Sequence, residues 1–219
     1  MRYALCVMRY ALCVMRYATM KYPKSIENLI RHFSTLPTVG PKTAERYVFY
    51  LLSRPAEELK IFGEAVAGLK SNISACPGCL TLVENGGCLV CSDAKRDPGQ
   101  LCIVADPRDL AAIESTKNFK GYYLVLGGEI NAIEGVRPDS LNINELLKKL
   151  KSGRVKETIL GLNPTLEGET TAMYLSRLIK NSFPYVKITR LARGLPMGAD
   201  IEYADEMTLS NSLKYRSEI

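Results

Sequence analysis

The sequence predicts an α/β protein made of an N-terminal helix-hairpin-helix, a small four-cysteine zinc knuckle and a C-terminal parallel sheet covered by helices. Three observations carry this. Residues 25–74 place apolar side chains at helical spacing around one Gly-Pro turn. Cys76, Cys79, Cys88 and Cys91 form two matched C-x-x-C pairs. From residue 101 onward, short apolar runs alternate with amphipathic ones. Strands separated by helices imply a parallel sheet with both faces buried.

The first nineteen residues stand apart. Met1–Val7 and Met8–Val14 are the same heptapeptide, MRYALCV, and Met15–Ala18 begins it again. Two copies and a fragment are too short for a coiled coil. An arginine interrupts every apolar run, which is not the pattern of a signal peptide. The repeat reads as an in-frame duplication or an expression remnant, with the natural start expected at Met20. The chain has 29 Lys+Arg against 23 Asp+Glu, a net of +6. Arg2, Arg9 and Arg16 supply three of those charges, so residues 20–219 carry +3. The excess sits in residues 20–75, with eight basic and five acidic side chains. No apolar run approaches membrane-spanning length, and a cytoplasmic, soluble protein is expected.

Residues 20–75 are expected to form the first module. Ser25–Phe33 reads as a helix with Ile26, Leu29, Ile30 and Phe33 on one face. Gly40 is expected to turn the chain sharply, and Pro41 suits the first position of a helix running to Leu52, with Ala44, Val48, Leu51 and Leu52 inward. A third helix, Ala56 to Ser74, would bury Leu59, Phe62, Val66, Leu69 and Ile73. Two helices joined by a tight hairpin can hold DNA without reading its sequence, since free N–H groups at the second helix's start favour a phosphate. Lys42 and Arg46 are four apart and flank that point. An ordinary capped hairpin with solvated cations accounts for the same residues. A phosphate loop at Gly40-Pro41-Lys42-Thr43 lacks its upstream glycine. His32 has no cysteine near it in sequence and reads as an ordinary surface or half-buried side chain.

Residues 76–95 form the knuckle. Two residues between paired cysteines let one turn aim both sulfurs at a point, and two such turns close a tetrahedron around one Zn²⁺. Gly78, Gly86 and Gly87 are expected to give those turns their backbone freedom. Two disulfides are the competing reading, disfavoured in a reducing compartment. Four thiolates leave no open coordination position, so the zinc is structural.

Residues 96–195 are expected to hold strands at Leu101–Ala105, Tyr122–Leu126, Glu157–Leu162 and Val186–Leu191. The helices between them are Pro107–Thr116, Ile143–Leu150 and Glu169–Lys180. Cys102 lies within the first strand as a small buried hydrophobe. Sites in such sheets form beyond the carboxyl ends of strands, where Asp106, Glu167 and Glu169 fall. The segment Leu162-Asn163-Pro164-Thr165-Leu166-Glu167-Gly168-Glu169 resembles the acidic loop of Toprim domains, in which Asp-x-Asp is followed by Glu-Gly. Glu167-Gly168-Glu169 match. Asn163 and Thr165 stand at the two aspartates, and Ala105 stands at the catalytic glutamate. Holding Mg²⁺ for phosphoryl transfer needs clustered carboxylates, so the resemblance implies a site without catalysis. Asp106, Glu167 and Glu169 remain candidates for a partner contact or weak Mg²⁺ binding. Acids in a helix's first turn also need no ligand to explain them.

The order of modules resembles the RecR family of bacterial recombination mediators. The residues that carry it are Leu36-Pro37-x-Val39-Gly40-x-Lys42-Thr43-Ala44-x-Arg46, the four cysteines, Asp106–Leu110, Gly194–Gly198, Asp200–Asp205 and Thr208–Ser210. The likeness runs from Met20 to Ile219, with Thr38 where the family often has glycine. It implies a homotetrameric ring, with a dimer intermediate, that holds single- or double-stranded DNA through Lys42 and Arg46. It implies action with RecO, and with RecF where present, to load RecA onto DNA coated by single-strand-binding protein. Residues 196–219 correspond to the family's C-terminal Walker-like segment, here without a phosphate-cradling Gly-Lys-hydroxyl arrangement. A Mg²⁺-dependent Toprim nuclease or primase-like enzyme is the alternative, and a zinc-ribbon adaptor a third reading.

Overall fold

The structure, a computed structural model, describes residues 22–84, 86–192 and 194–216. The heptapeptide repeat and the start expected at Met20 lie outside them. The chain divides into two compact units, up to Leu69 and from Lys70 onward.

In the first unit, α1 (Lys24–Phe33) and α2 (Pro41–Leu52) pack around buried Ile30, Ala44 and Val48, with Tyr22, Ile26, Phe33 and Val39 against them. The turn between them differs from expectation in one detail. Gly40 is extended (φ −79°, ψ 165°) and is the N-cap of α2, while Thr38 holds the left-handed conformation (φ 64°). The sharp reversal therefore falls on a β-branched residue, at a strain cost of about 1–2 kcal/mol. Leu52 is 56% exposed rather than inward, and Leu29 also faces out. The third helix, α3 (Ala56–Asn72), is the larger correction: Phe62, Val66, Leu69 and Ile73 are exposed, and no residue of it is buried. Helical spacing aligns these side chains into a stripe, but among the described residues no element covers it.

The helix stops at Asn72 because β1 (Ile73–Ala75) pairs antiparallel with β2 (Leu82–Glu84), flanking the first cysteine turn. A parallel sheet follows in the order β4-β3-β5-β6. Its strands are β3 (Asp97–Val104), β4 (Gly121–Val125), β5 (Glu157–Gly161) and β6 (Lys187–Arg190). Between them run α4 (Pro107–Ser115), α5 (Ile143–Lys151) and α6 (Leu166–Ser182), and α7 (Glu206–Lys214) follows β6. The fold is thus mixed α/β, as the alternating pattern implied.

Side-chain alternation along the strands splits the core in two. Leu101, Ile103, Leu124, Leu160, Leu175 and Ile179 share one cluster with α5 and α6 residues. Cys102, Val104, Tyr123 and Val125 share the other with Leu110 of α4 and with Cys76, Cys79, Val83, Cys88 and Val90. The knuckle is therefore packed onto one face of the sheet. Cys102 is buried as a small hydrophobe, and burial pushes its thiol up to about 12. α6 begins three residues earlier than expected, because the Thr165 hydroxyl accepts the Gly168 N–H at 3.1 Å and caps the helix. No helix among the described residues is long and apolar enough to cross a membrane.

Candidate metal centre and nucleic-acid interface

The sulfurs of Cys76, Cys79, Cys88 and Cys91 all lie within 4.8 Å of one another. Cys76 Sγ is 3.8 Å from Cys91 Sγ, and Cys79 Sγ is 3.6 Å from Cys88 Sγ. A tetrahedron with metal–sulfur bonds of about 2.3 Å has edges of roughly 3.8 Å. The four thiols thus fit one tetrahedral metal ion, and their backbones support it. The amide of Gly78 donates to Cys76 Sγ at 3.3 Å, and that of Cys91 to Cys88 Sγ at 3.4 Å. Against burial, which pushes it up, amide donors bring the Cys76 thiol down to about 7, whereas burial drives Cys79 up to about 11. Gly78 is required for space rather than for backbone freedom. A Cβ there would lie 2.9 Å from Cys91 Sγ. Gly86 does take a left-handed φ of 72°, as its turn demands.

A buried arginine just after the knuckle ties the chain there to α4 and β4. Arg96, with its side chain 8% exposed, pairs with Glu114 of α4 and donates to the Gly121 carbonyl at 3.0 Å. Asp93 lies 3.8 Å from its Nε, and its guanidinium stands 5.9 Å from the centre of the Tyr123 ring. Neither Arg96 nor Glu114 is marked by any motif, so sequence reasoning had no handle on them.

At the hairpin, Lys42 and Arg46 project from the first two turns of α2, both exposed. Lys42, with 91% of its side chain exposed, approaches Glu45 at 3.5 Å. No side chain caps the helix start, so its first amide groups are open to a ligand. His32 is exposed and belongs to the first unit, the cysteines to the second.

At the carboxyl ends of the strands, Ala105 is buried and Asp106 is fully engaged. The Asp106 carboxylate caps α4 through the Arg108 amide and takes the Arg108 side chain at 2.8 and 3.1 Å, which holds it below the usual carboxylate range. Glu167 and Glu169 are half-buried in the first turn of α6, with Glu169 3.5 Å from Arg190. Glu129, from the loop after β4, is a residue the sequence reading missed. Its carboxylate accepts from the Asn163 amide (3.2 Å), the Asn163 side chain (3.4 Å) and the Thr165 hydroxyl (3.4 Å). Its position just past a strand's carboxyl end was the available signal. Asn163 and Thr165 therefore act as donors to a carboxylate. Gly168 is tight against them, since a Cβ would meet the Asn163 carbonyl at 2.0 Å. Among the described residues, the four cysteines are the one set of three or more metal-ligand side chains that converges.

Known proteins match this arrangement segment by segment. Family profiles described as "RecR, helix-hairpin-helix", "Toprim domain" and "RecR, C-terminal" match residues 26–68, 99–192 and 194–217. "Recombination protein RecR" of Bifidobacterium animalis subsp. lactis is 46% identical over 200 residues, covering 91% of this chain and 99% of that protein. The protein of the same name from Gloeobacter violaceus is 46% identical over 198 residues, covering 90% of this chain and 100% of its own length. That of Pelotomaculum thermopropionicum is 48% identical over 198 residues, at 90% and 98% coverage. By three segments in the same order and by identity along nearly its whole length, the chain belongs to the RecR family.

Proposed function

We propose that this chain is a recombination mediator in DNA repair, a non-catalytic clamp that holds DNA through Lys42 and Arg46. It acts in the cytoplasm at the nucleoid with RecO, and with RecF where present, to load RecA onto strands coated by single-strand-binding protein. The observation that carries the reading is the uncapped start of α2, with exposed Lys42 and Arg46 beside it on a helical hairpin held by buried Ile30, Ala44 and Val48. Cys76, Cys79, Cys88 and Cys91 hold one structural Zn²⁺; four thiolates at tetrahedral spacing suit that ion and leave no position for substrate.

Two further features support the reading. Two cations per chain neutralise few phosphates, and affinity grows with the number neutralised, so several copies around one opening are needed. The uncovered apolar stripe of α3, and α7 with no buried residue, supply surface for such a homotetramer. The Toprim end works as a partner contact, not a nuclease. Asp106 is occupied by Arg108, Glu169 by Arg190, and Asn163 and Thr165 donate where acids would be needed for Mg²⁺. The functional modules are those of residues 20–75, 76–95, 96–195 and 196–219.

K42A/R46A tests the reading. DNA binding of the double variant, by fluorescence anisotropy at low salt, is expected to be lost while particle mass in solution stays that of the parent. Unchanged affinity would remove the hairpin as the DNA contact.

A further inference from the structure

Residues 101–219 are nearly neutral by composition, with sixteen basic and fifteen acidic side chains. The topology nevertheless sorts them by end. All strands of the sheet start at the same end, because they are parallel. Lys120 precedes β4, Lys156 precedes β5 and Lys187 opens β6. Lys151 and Lys180 lie in the last turns of α5 and α6, which return to that end, and Arg154 lies between α5 and β5. All six are exposed.

Backbone hydrogen bonds tie the row together. Asp97 N–H donates to the Lys120 carbonyl at 2.8 Å, Lys156 N–H to Gly99 at 2.8 Å, and Lys187 N–H to Lys156 at 2.9 Å. Three strand spacings of about 4.8 Å make the row about 14 Å long, a length over which one strand of B-form DNA carries roughly four charges. The acids at this end are Asp97, whose carboxylate accepts the Gly99 amide, Glu157, which is 3.3 Å from Lys187, and Asp93 and Glu114, which both face buried Arg96, with Glu114 also within electrostatic reach of Lys120. Lys151, Arg154 and Lys156 have no carboxylate within ion-pair distance among the described residues. The helix dipole accounts for cations in the last turns of α5 and α6. It does not account for Lys120, Arg154, Lys156 or Lys187, which lie outside helices. Tyr185, 61% exposed, stands at this same end, its hydroxyl 3.5 Å from the Leu150 carbonyl. The acids Asp106, Glu129, Glu167 and Glu169 lie at the opposite end.

We propose that the amino-terminal end of this sheet is a second nucleic-acid surface, which takes the phosphates of a single DNA strand along the Lys120–Lys156–Lys187 row and offers Tyr185 as a stacking face. The inference rests on the nucleic-acid reading of the hairpin and adds a separate contact to it. A lysine-rich row beside one exposed ring is what sequence-tolerant strand binding uses, whereas protein interfaces are depleted in lysine.

The test is the triple variant K151Q/R154Q/K156Q in the full chain, titrated with an oligo-dT probe across a range of salt. Binding is expected to weaken roughly tenfold at low salt, and the slope of log K against log salt to flatten by about two units. Wild-type affinity and slope in the triple variant, with binding lost in K42A/R46A, would overturn the second surface and leave the hairpin reading intact. Wild-type behaviour in both variants would end both. Retained DNA binding with lost binding of a polyglutamate peptide would assign the face to an acidic protein, again overturning the proposal. Should the triple variant not fold, K120Q/K187Q at the row's two edges carries the same expectation.

Discussion

The backbone carbonyl of Cys79, a member of the cysteine cluster, accepts the N–H of Val125 on β4 at 2.9 Å. This bond makes the knuckle continuous with the sheet. Cys76, Cys79 and Cys88 share a buried cluster with Cys102, Val104, Tyr123 and Val125, so the cysteine turns form one wall of the sheet's own core. Loss of a metal ion that organises those turns would be felt in the strands.

Metal removal is therefore expected to loosen the sheet. Treatment with a strong chelator, or the C79S substitution, should lower the thermal midpoint by on the order of 10 °C, taking about 2–4 °C per kcal/mol for a chain this size. Hydrogen exchange at the Val125 amide should accelerate together with the global change. Unaltered Val125 protection in chelated protein would show the two parts to be independent.

Arg96 and Glu114 form the pair whose loss should cost most. Glu114 is one-third exposed, so removing the arginine costs about 1.5–3 kcal/mol, the range of a hydrogen bond to a charged group, and R96A is expected to lower the urea midpoint. K148A serves as the contrast. Lys148 approaches Glu145 at 2.6 Å, but their side chains are 70% and 41% exposed, and such surface pairs are worth at most about 1 kcal/mol. The guanidinium of Arg96 holds the Glu114 carboxyl below its usual range. A carboxyl depressed in the folded state contributes stability above its unfolded value, near pH 4.3, and that stability is lost as pH falls through the folded value. E114Q should therefore flatten the acid limb of the stability curve below about pH 4.3. An acid limb identical to the parent's would remove Glu114 as its source.

Thr38 carries the left-handed turn residue of the hairpin with a β-branched side chain. T38G should relieve that conformation and raise stability of the first unit by about 1 kcal/mol, net of the entropy glycine adds to the unfolded chain. G40A should change it by less than about 0.5 kcal/mol, since Gly40 has an ordinary φ and a Cβ there meets nothing within 4 Å. Denaturation followed through the Tyr22–Phe49 ring pair of this unit reads both. Destabilisation by T38G would place the turn's requirement elsewhere.

Where local spacing determines structure, the chain was legible. Pro41–Leu52 spans the expected helix, the four cysteines converge as their x-x spacing required, and the strands fall within a few residues of their apolar runs. The misses share a cause. Phe62, Val66 and Leu69 form a helical stripe in sequence, but whether a stripe is buried depends on what lies against it. Glu129 is an acid past a strand end, yet only the folded chain brings Asn163 and Thr165, more than thirty residues away, onto it.

The amino-acid order by itself determined the order of the segments, most of the secondary structure and the four cysteines that could hold a metal ion, because each depends on residues a few positions apart. Tertiary structure decided what distant residues do together. It set Glu129 against Asn163 and Thr165, buried Arg96 between Asp93 and Glu114, and gathered Lys120, Lys156 and Lys187 at one end of the sheet. Apart from Asp93, three residues from Arg96, those partners lie 18 or more residues apart along the chain, and parallel strand pairing, which no local pattern encodes, is what brings them within reach.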